Sequence, residues 1–212
     1  MKCLSDRVKR EIERKREEII DAAEKLFFSE GFKETSMDEI AKKSEFSKRT
    51  VYKYFESKED LYSAIALRGL ELYNKIIIEN TTNKKSGFEK LESVAKALVK
   101  LKKVNLNYAK VITFFLNKVF DNTNIYGEHI KLCKEKVRDI RYFIEGSLKE
   151  GIVDGSIKSD IDISITVLSI QTALVGMYMI NENIYQYFMP ENISLNDIFQ
   201  YNINLFLELV KS

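Results

Sequence analysis

Apolar residues recur at three- and four-residue intervals along most of the chain, with polar positions filling the opposite side of a 3.6-residue repeat. Ile12, Ile19, Ala23, Leu26 and Phe27 form one such stripe. It predicts a first helix over residues 8–29, stopped by Gly31, with Phe32 folded back on the core. The same reading predicts short helices over 36–43 and 48–55 and a long one over 57–80 carried by Leu61, Ile65, Leu72 and Ile76. The polar run TTNKKSG at 81–87 reads as a linker, and helices follow over 88–103, 107–120, 125–150, 161–183 and 195–211. One proline and eight glycines leave little turn chemistry for strands, so an all-α fold is expected.

Three helix starts crowd into residues 36–60, each a serine with a suitable residue three positions on: Ser36 with Glu39, Ser47 with Thr50, Ser57 with Asp60. Only Ser36/Glu39 has the residue types of a full capping box. The intervals admit one short helix, a tight turn and a second short helix, which is helix-turn-helix spacing. In the second helix, Val51 and Phe55 lie four apart and anchor it, while Lys48, Arg49, Tyr52 and Lys53 project outward. A helix carrying such donors fits the major groove. Lys48 and Arg49 are placed for guanine O6/N7 or a phosphate, and Thr50 for a thymine methyl or a phosphate; Tyr52, Lys53 and Tyr54 are placed for the DNA backbone or neighbouring bases. Ser47 opens this helix. Thr35, Ser36 and Lys58 stand at helix starts where N–H groups favour a phosphate. The plainer alternatives are that Tyr54 packs, Thr35 and Ser36 only cap, and Lys58 is solvated.

The formal net charge of +2 says little about nucleic acid, but its distribution says more. Residues 42–53 carry Lys42, Lys43, Lys48, Arg49 and Lys53 against Glu45 alone, and the first sixteen residues hold a second basic cluster. Cys3 and Cys133 form no motif, and no apolar leader opens the chain, so a reduced cytoplasmic setting is expected. Residues 163–181 contain no charge, close to membrane-spanning length. Interspersed Ser164, Thr166, Ser169, Gln171 and Thr172 and the lack of flanking Lys/Arg favour a helix buried against protein, with no membrane partner.

Gly31-Phe32, Thr35-Ser36-Met37, Ile40-Ala41, Ser47-Lys48, Val51-Tyr52, Tyr54-Phe55, Lys58 and Leu61 together resemble the signature of the TetR family of bacterial transcriptional repressors, over roughly residues 10–66. The resemblance implies a three-helix DNA-binding head over residues 1–65. A long fourth helix would join it to an effector-binding and dimerising body over residues 66–212. Arg49 departs from the pattern, since the family often has Gly or Ala there, so the operator sequence is harder to read.

In the body, Ser169 with Ala173 and Thr172 with Gly176 bring small residues to four-residue spacing, which permits close helix approach. With Ile198, Asn202, Leu205 and Leu209 of the last helix they make a candidate four-helix homodimer interface; the alternative is that both helices close their own subunit's core. Tyr108, Phe114, Phe115, Tyr142, Gln171 and Tyr178 mix aromatic walls with polar tips and are the candidate effector site. The expected function is a ligand-responsive repressor. As a homodimer it would bind a palindromic double-stranded DNA operator, and a small apolar or amphipathic effector would release it. The alternatives are a helix-turn-helix protein without an effector and, more remotely, a small helical enzyme using His129 and Cys133. No Gly-rich phosphate loop, CxxC or HExxH is present, so no catalytic residue, metal or cofactor is expected.

Overall fold

The computed structural model describes residues 6–121, 127–179 and 193–212, with side chains described except at 118–121, 174, 175, 177–179 and 195. Among the described residues it is all-helical: α1 Asp6–Ser29, α2 Met37–Lys43, α3 Lys48–Tyr54, α4 Lys58–Thr81, α5 Gly87–Val104, α6 Leu106–Asp121, α7 Glu128–Asp154, α8 Ile163–Met179 and α9 Leu195–Val210. The three serines at 36, 47 and 57 cap α2, α3 and α4, each hydroxyl accepting the N–H three residues on. Gly31, at φ 90°, takes the left-handed conformation that ends α1.

A first core joins α1 through Ile19, Ala23 and Phe27, α2 through Ile40, α3 through Val51 and Phe55, and α4 through Leu61 and Ile65. It does not stop at the head, because Val111 and Phe115 of α6 and Ile130 and Cys133 of α7 belong to the same cluster. A second core fills the body, where α4 packs on α5, α6 and α7, α8 covers α6 and α7, and α9 lies on α5. The division expected at residue 65/66 falls inside α4, which runs through it unbroken.

The expected linker at 81–87 is shorter than its composition implies, since Gly87 already belongs to α5. Gly87 sits against α7: a Cβ there would lie 2.0 Å from the Gly151 amide nitrogen. Its N–H donates to Asp154 at 2.8 Å. The glycine therefore marks a helix contact, and the turn proper is residues 82–86.

Candidate nucleic-acid interface and ligand cavity

The head is organised to hold α3 away from its support. Ser36 and Glu39 close a full capping box at α2, with the Glu39 N–H donating to Ser36 Oγ at 3.2 Å and the Ser36 N–H donating to Glu39 Oε2 at 2.7 Å. The hydroxyl and N–H of Ser36 hold the Glu39 carboxyl below its ordinary range. At the other end of α2, Glu45 takes φ 59°, and the Phe46 N–H reaches back to the Ala41 carbonyl at 3.1 Å. That pattern is a Schellman stop with glutamate in the seat usually held by glycine. It turns the chain sharply enough for Ser47 to start α3 four residues after the end of α2.

On α3, Val51 and the capping residue Phe55 are fully buried, while Lys48, Arg49 and Lys53 are exposed and Tyr52 is 45% exposed. These four side chains stand together on one open surface with Ser47. Lys48 is held by Asp38 of α2 at 2.7 Å, which raises its pKa. Thr50 is half-buried, its hydroxyl 2.8 Å from that of Ser47. Tyr54 is half-buried against the head core, and Ser36 is exposed but committed to its capping box.

Two expected phosphate contacts are corrected by the geometry. Thr35 is 1% exposed and donates its hydroxyl to the Gly31 carbonyl at 2.9 Å, so nothing on its side chain faces outward. Lys58 donates to the carbonyls of Phe32 at 2.8 Å and Thr35 at 2.9 Å and lies over the Phe32 ring. Its ammonium ties down the α1–α2 loop.

In the body, α4 to α8 enclose a cavity of about 360 Å³ whose walls include Leu70, Ile112, Val137, Ile140 and Gln171. Of the five effector candidates whose side chains are described, Gln171 alone is among its lining residues. The Tyr108 hydroxyl donates to Glu24 of α1 at 3.0 Å, and burial with that carboxylate pushes its pKa up to about 12. Phe114 packs against Phe32 and Tyr62, and Phe115 is buried in the core shared by head and body. Tyr142 is 60% exposed, and the Tyr178 side chain lies outside the described residues. α6, which bears Tyr108, Phe114 and Phe115, is apolar on more than one side, and these three residues contact the head.

Of the candidate interface residues, Ser169, Thr172, Gly176, Leu205 and Leu209 are exposed, and Ala173, Ile198 and Asn202 are half-buried. Ile165, Leu168 and Tyr201 add large apolar exposure to the same two helices.

Head and body meet through a polar cluster that periodicity does not reveal. Arg16 of α1 pairs with Glu128 at 2.9 Å and contacts His129 Nε2 at 3.3 Å, and His129 Nδ1 lies 3.2 Å from Asp60 of α4. Arg68 of α4 is paired with Glu17, Asp21 and Glu24 of α1. The lone histidine was the available signal for the first group. The same contacts dismantle the imagined dyad, because Cys133 donates its thiol to the Ser63 carbonyl at 3.2 Å and is pushed up to about 12 by burial. Among the described residues, no three potential ligands cluster to hold a metal, and no helix is long and apolar enough to cross a membrane.

Residues 19–65 match the family model described as bacterial regulatory proteins, tetR family. The chain is 28% identical over 144 residues to the HTH-type transcriptional regulator YhgD of Bacillus subtilis (strain 168), covering 66% of this chain and 70% of the relative. It is 27% identical over 146 residues to the fatty acid metabolism regulator protein of the same organism, covering 69% and 72%. In fold it resembles the transcriptional regulator FadR from Bacillus subtilis in complex with stearoyl-CoA, at TM-score 0.67 and 22% identity over 90% of this chain and 96% of that one. The helix-turn-helix head over residues 19–65 is similar to that of the tetR family of bacterial regulatory proteins.

Proposed function

We propose that the protein is a homodimeric repressor that grips a palindromic operator with two copies of α3 and lets go when an apolar or amphipathic effector fills the body cavity. One observation carries the reading: the same two helices line the cavity and hold the recognition helix. Leu70 and Tyr73 of α4 and Val137, Ile140 and Ile144 of α7 face the cavity. At their other ends, Asp60 of α4 and His129 of α7 meet beside Phe55, which caps α3. Val137 is eight residues beyond His129, about 12 Å along the helix. An effector that spreads α4 from α7 is thereby coupled to the angle of α3, and two half-sites about 34–36 Å apart cannot both be met once that angle changes. Lys48, Arg49, Tyr52 and Lys53, with Ser47, Thr50 and Tyr54 flanking, make the DNA contacts in this reading. The exposed faces of α8 and α9 pair the subunits.

The reading is tested by selecting bound duplexes from a random pool with the purified protein. An inverted repeat is expected, and Arg49→Ala and Tyr52→Ala are each expected to cost about 1–3 kcal/mol in operator binding with melting unchanged. Selection of no inverted repeat, or unfolding of both variants, refutes it. A helix-turn-helix protein without an effector would bind the same DNA and show no release by any compound that occupies the cavity.

A further inference from the structure

The cavity's chemistry restricts what enters it. Among the described residues, fourteen line it, none of them charged and none histidine. Four carry polar side-chain atoms, and three of those have already committed their only proton: Tyr73 donates to the Val94 carbonyl at 3.2 Å, Thr113 to Ala109 at 2.9 Å and Thr172 to Leu168 at 2.8 Å. The fourth is Gln171, whose amide N–H groups have no acceptor among the described residues. Among the described residues, an acceptor atom of a ligand therefore finds one donor in this cavity. Gln171 shares its helix face with Leu168 and lies next to Thr172, both exposed in the single subunit, which puts the donor near the mouth, at the edge of the face proposed to pair the subunits. Leu70, Leu101, Ala109 and Leu116 line the remainder with hydrocarbon.

We propose that the portion of the effector that enters this cavity is an uncharged hydrocarbon chain bearing one carbonyl, which accepts a hydrogen bond from the Gln171 amide near the mouth. This rests on the effector-cavity reading above. A carboxylate is disfavoured in the buried portion because no cation among the described lining residues compensates its desolvation, whereas a neutral carbonyl needs only the one donor. The carbonyl belongs either to a free ketone- or ester-like molecule or to an acyl chain whose carrier stays outside.

Isothermal titration calorimetry on the full chain and on Gln171→Leu, with decane, decan-2-one, decanoate and decanoyl-CoA at neutral pH, tests it. The ketone is expected to bind the parent protein and to lose about tenfold in Gln171→Leu, with decane unchanged. Decanoate is expected to bind about a hundredfold more weakly than the ketone. Decanoyl-CoA binding more tightly than the ketone, with the same loss in Gln171→Leu, supports the proposal and places the carbonyl on a carrier. Decanoate matching the ketone, or an unchanged ketone affinity in Gln171→Leu, overturns the ligand class while the cavity reading stands. If neither decane nor the ketone binds, the cavity reading falls and the proposal with it.

Discussion

The imidazole of His129, in the first turn of α7, lies against the ring of Phe55 at 5.4 Å between centroids and 26° between planes. Phe55 is the residue whose N–H closes α3 on the Val51 carbonyl. Arg16 can only donate, so His129 Nε2 accepts from it and Nδ1–H donates to Asp60; the tautomer follows from the network. His129→Ala removes the stack and leaves the buried Asp60 without this donor. The expected loss is roughly 1–3 kcal/mol of stability. At temperatures well below unfolding, operator affinity should fall as well, because α3 loses its stop against the body. Chemical denaturation and fluorescence anisotropy check the two effects, and unchanged affinity in a folded variant removes His129 from the coupling.

Lys48 is held by Asp38, both exposed, in a pair that contributes little to stability. On DNA the same carboxylate repels phosphates and competes for the ammonium. Asp38→Asn is therefore expected to leave melting unchanged, tighten operator binding and steepen its salt dependence by roughly one released counterion. A titration at several salt concentrations measures both, and weaker binding would mean that Asp38 orients Lys48 for its contact.

Glu45 occupies the left-handed seat of the turn between α2 and α3 at φ 59°. A side chain there costs roughly 1 kcal/mol relative to glycine, partly offset by the greater freedom of glycine in the unfolded chain. Glu45→Gly is expected to stabilise the head by up to about 1 kcal/mol and to remove the lone acidic residue from the basic run 42–53, raising DNA affinity. Thermal unfolding reads the first effect, and destabilisation would show that the Glu45 side chain makes contacts worth more than the strain.

The head was legible because its signals are local. A serine cap and its N–H partner are three residues apart, and Ser36, Ser47 and Ser57 start helices where their spacing says they must. The cavity was not, because an apolar stripe says that a face is covered without saying by what. Phe114 and Leu116 share one helix, yet Phe114 packs on the head and Leu116 lines the cavity. The aliphatic walls, Leu70, Ile112, Val137 and Ile140, have the same periodic signature as core. Thr35 and Lys58 misled for a related reason: a helix start attracts anions, but the loop carbonyls next to it claimed these donors first. Tertiary contacts such as His129 with Asp60, 69 residues apart, leave no trace in periodicity.

The pairing of subunits is tested most cleanly at Gly176 of α8. It is exposed, and a Cβ built there meets no described atom within 4 Å, so a side chain can start from this position into open space in the isolated subunit. Within an interface the same leucine would hold two α8 helices apart, because Ser169, Thr172, Ala173 and Gly176 allow closer approach than larger side chains do. Gly176→Leu is therefore expected to shift the protein from dimer to monomer in sedimentation velocity at micromolar concentration, with helical content retained. Operator affinity should fall steeply, since one α3 reads only a half-site. Leu205→Asp on α9 is the companion variant, placing a charge on the other exposed helix of the pair. Loss of the dimer in both variants supports a four-helix interface. A dimer that survives both moves the subunit contact elsewhere on the body.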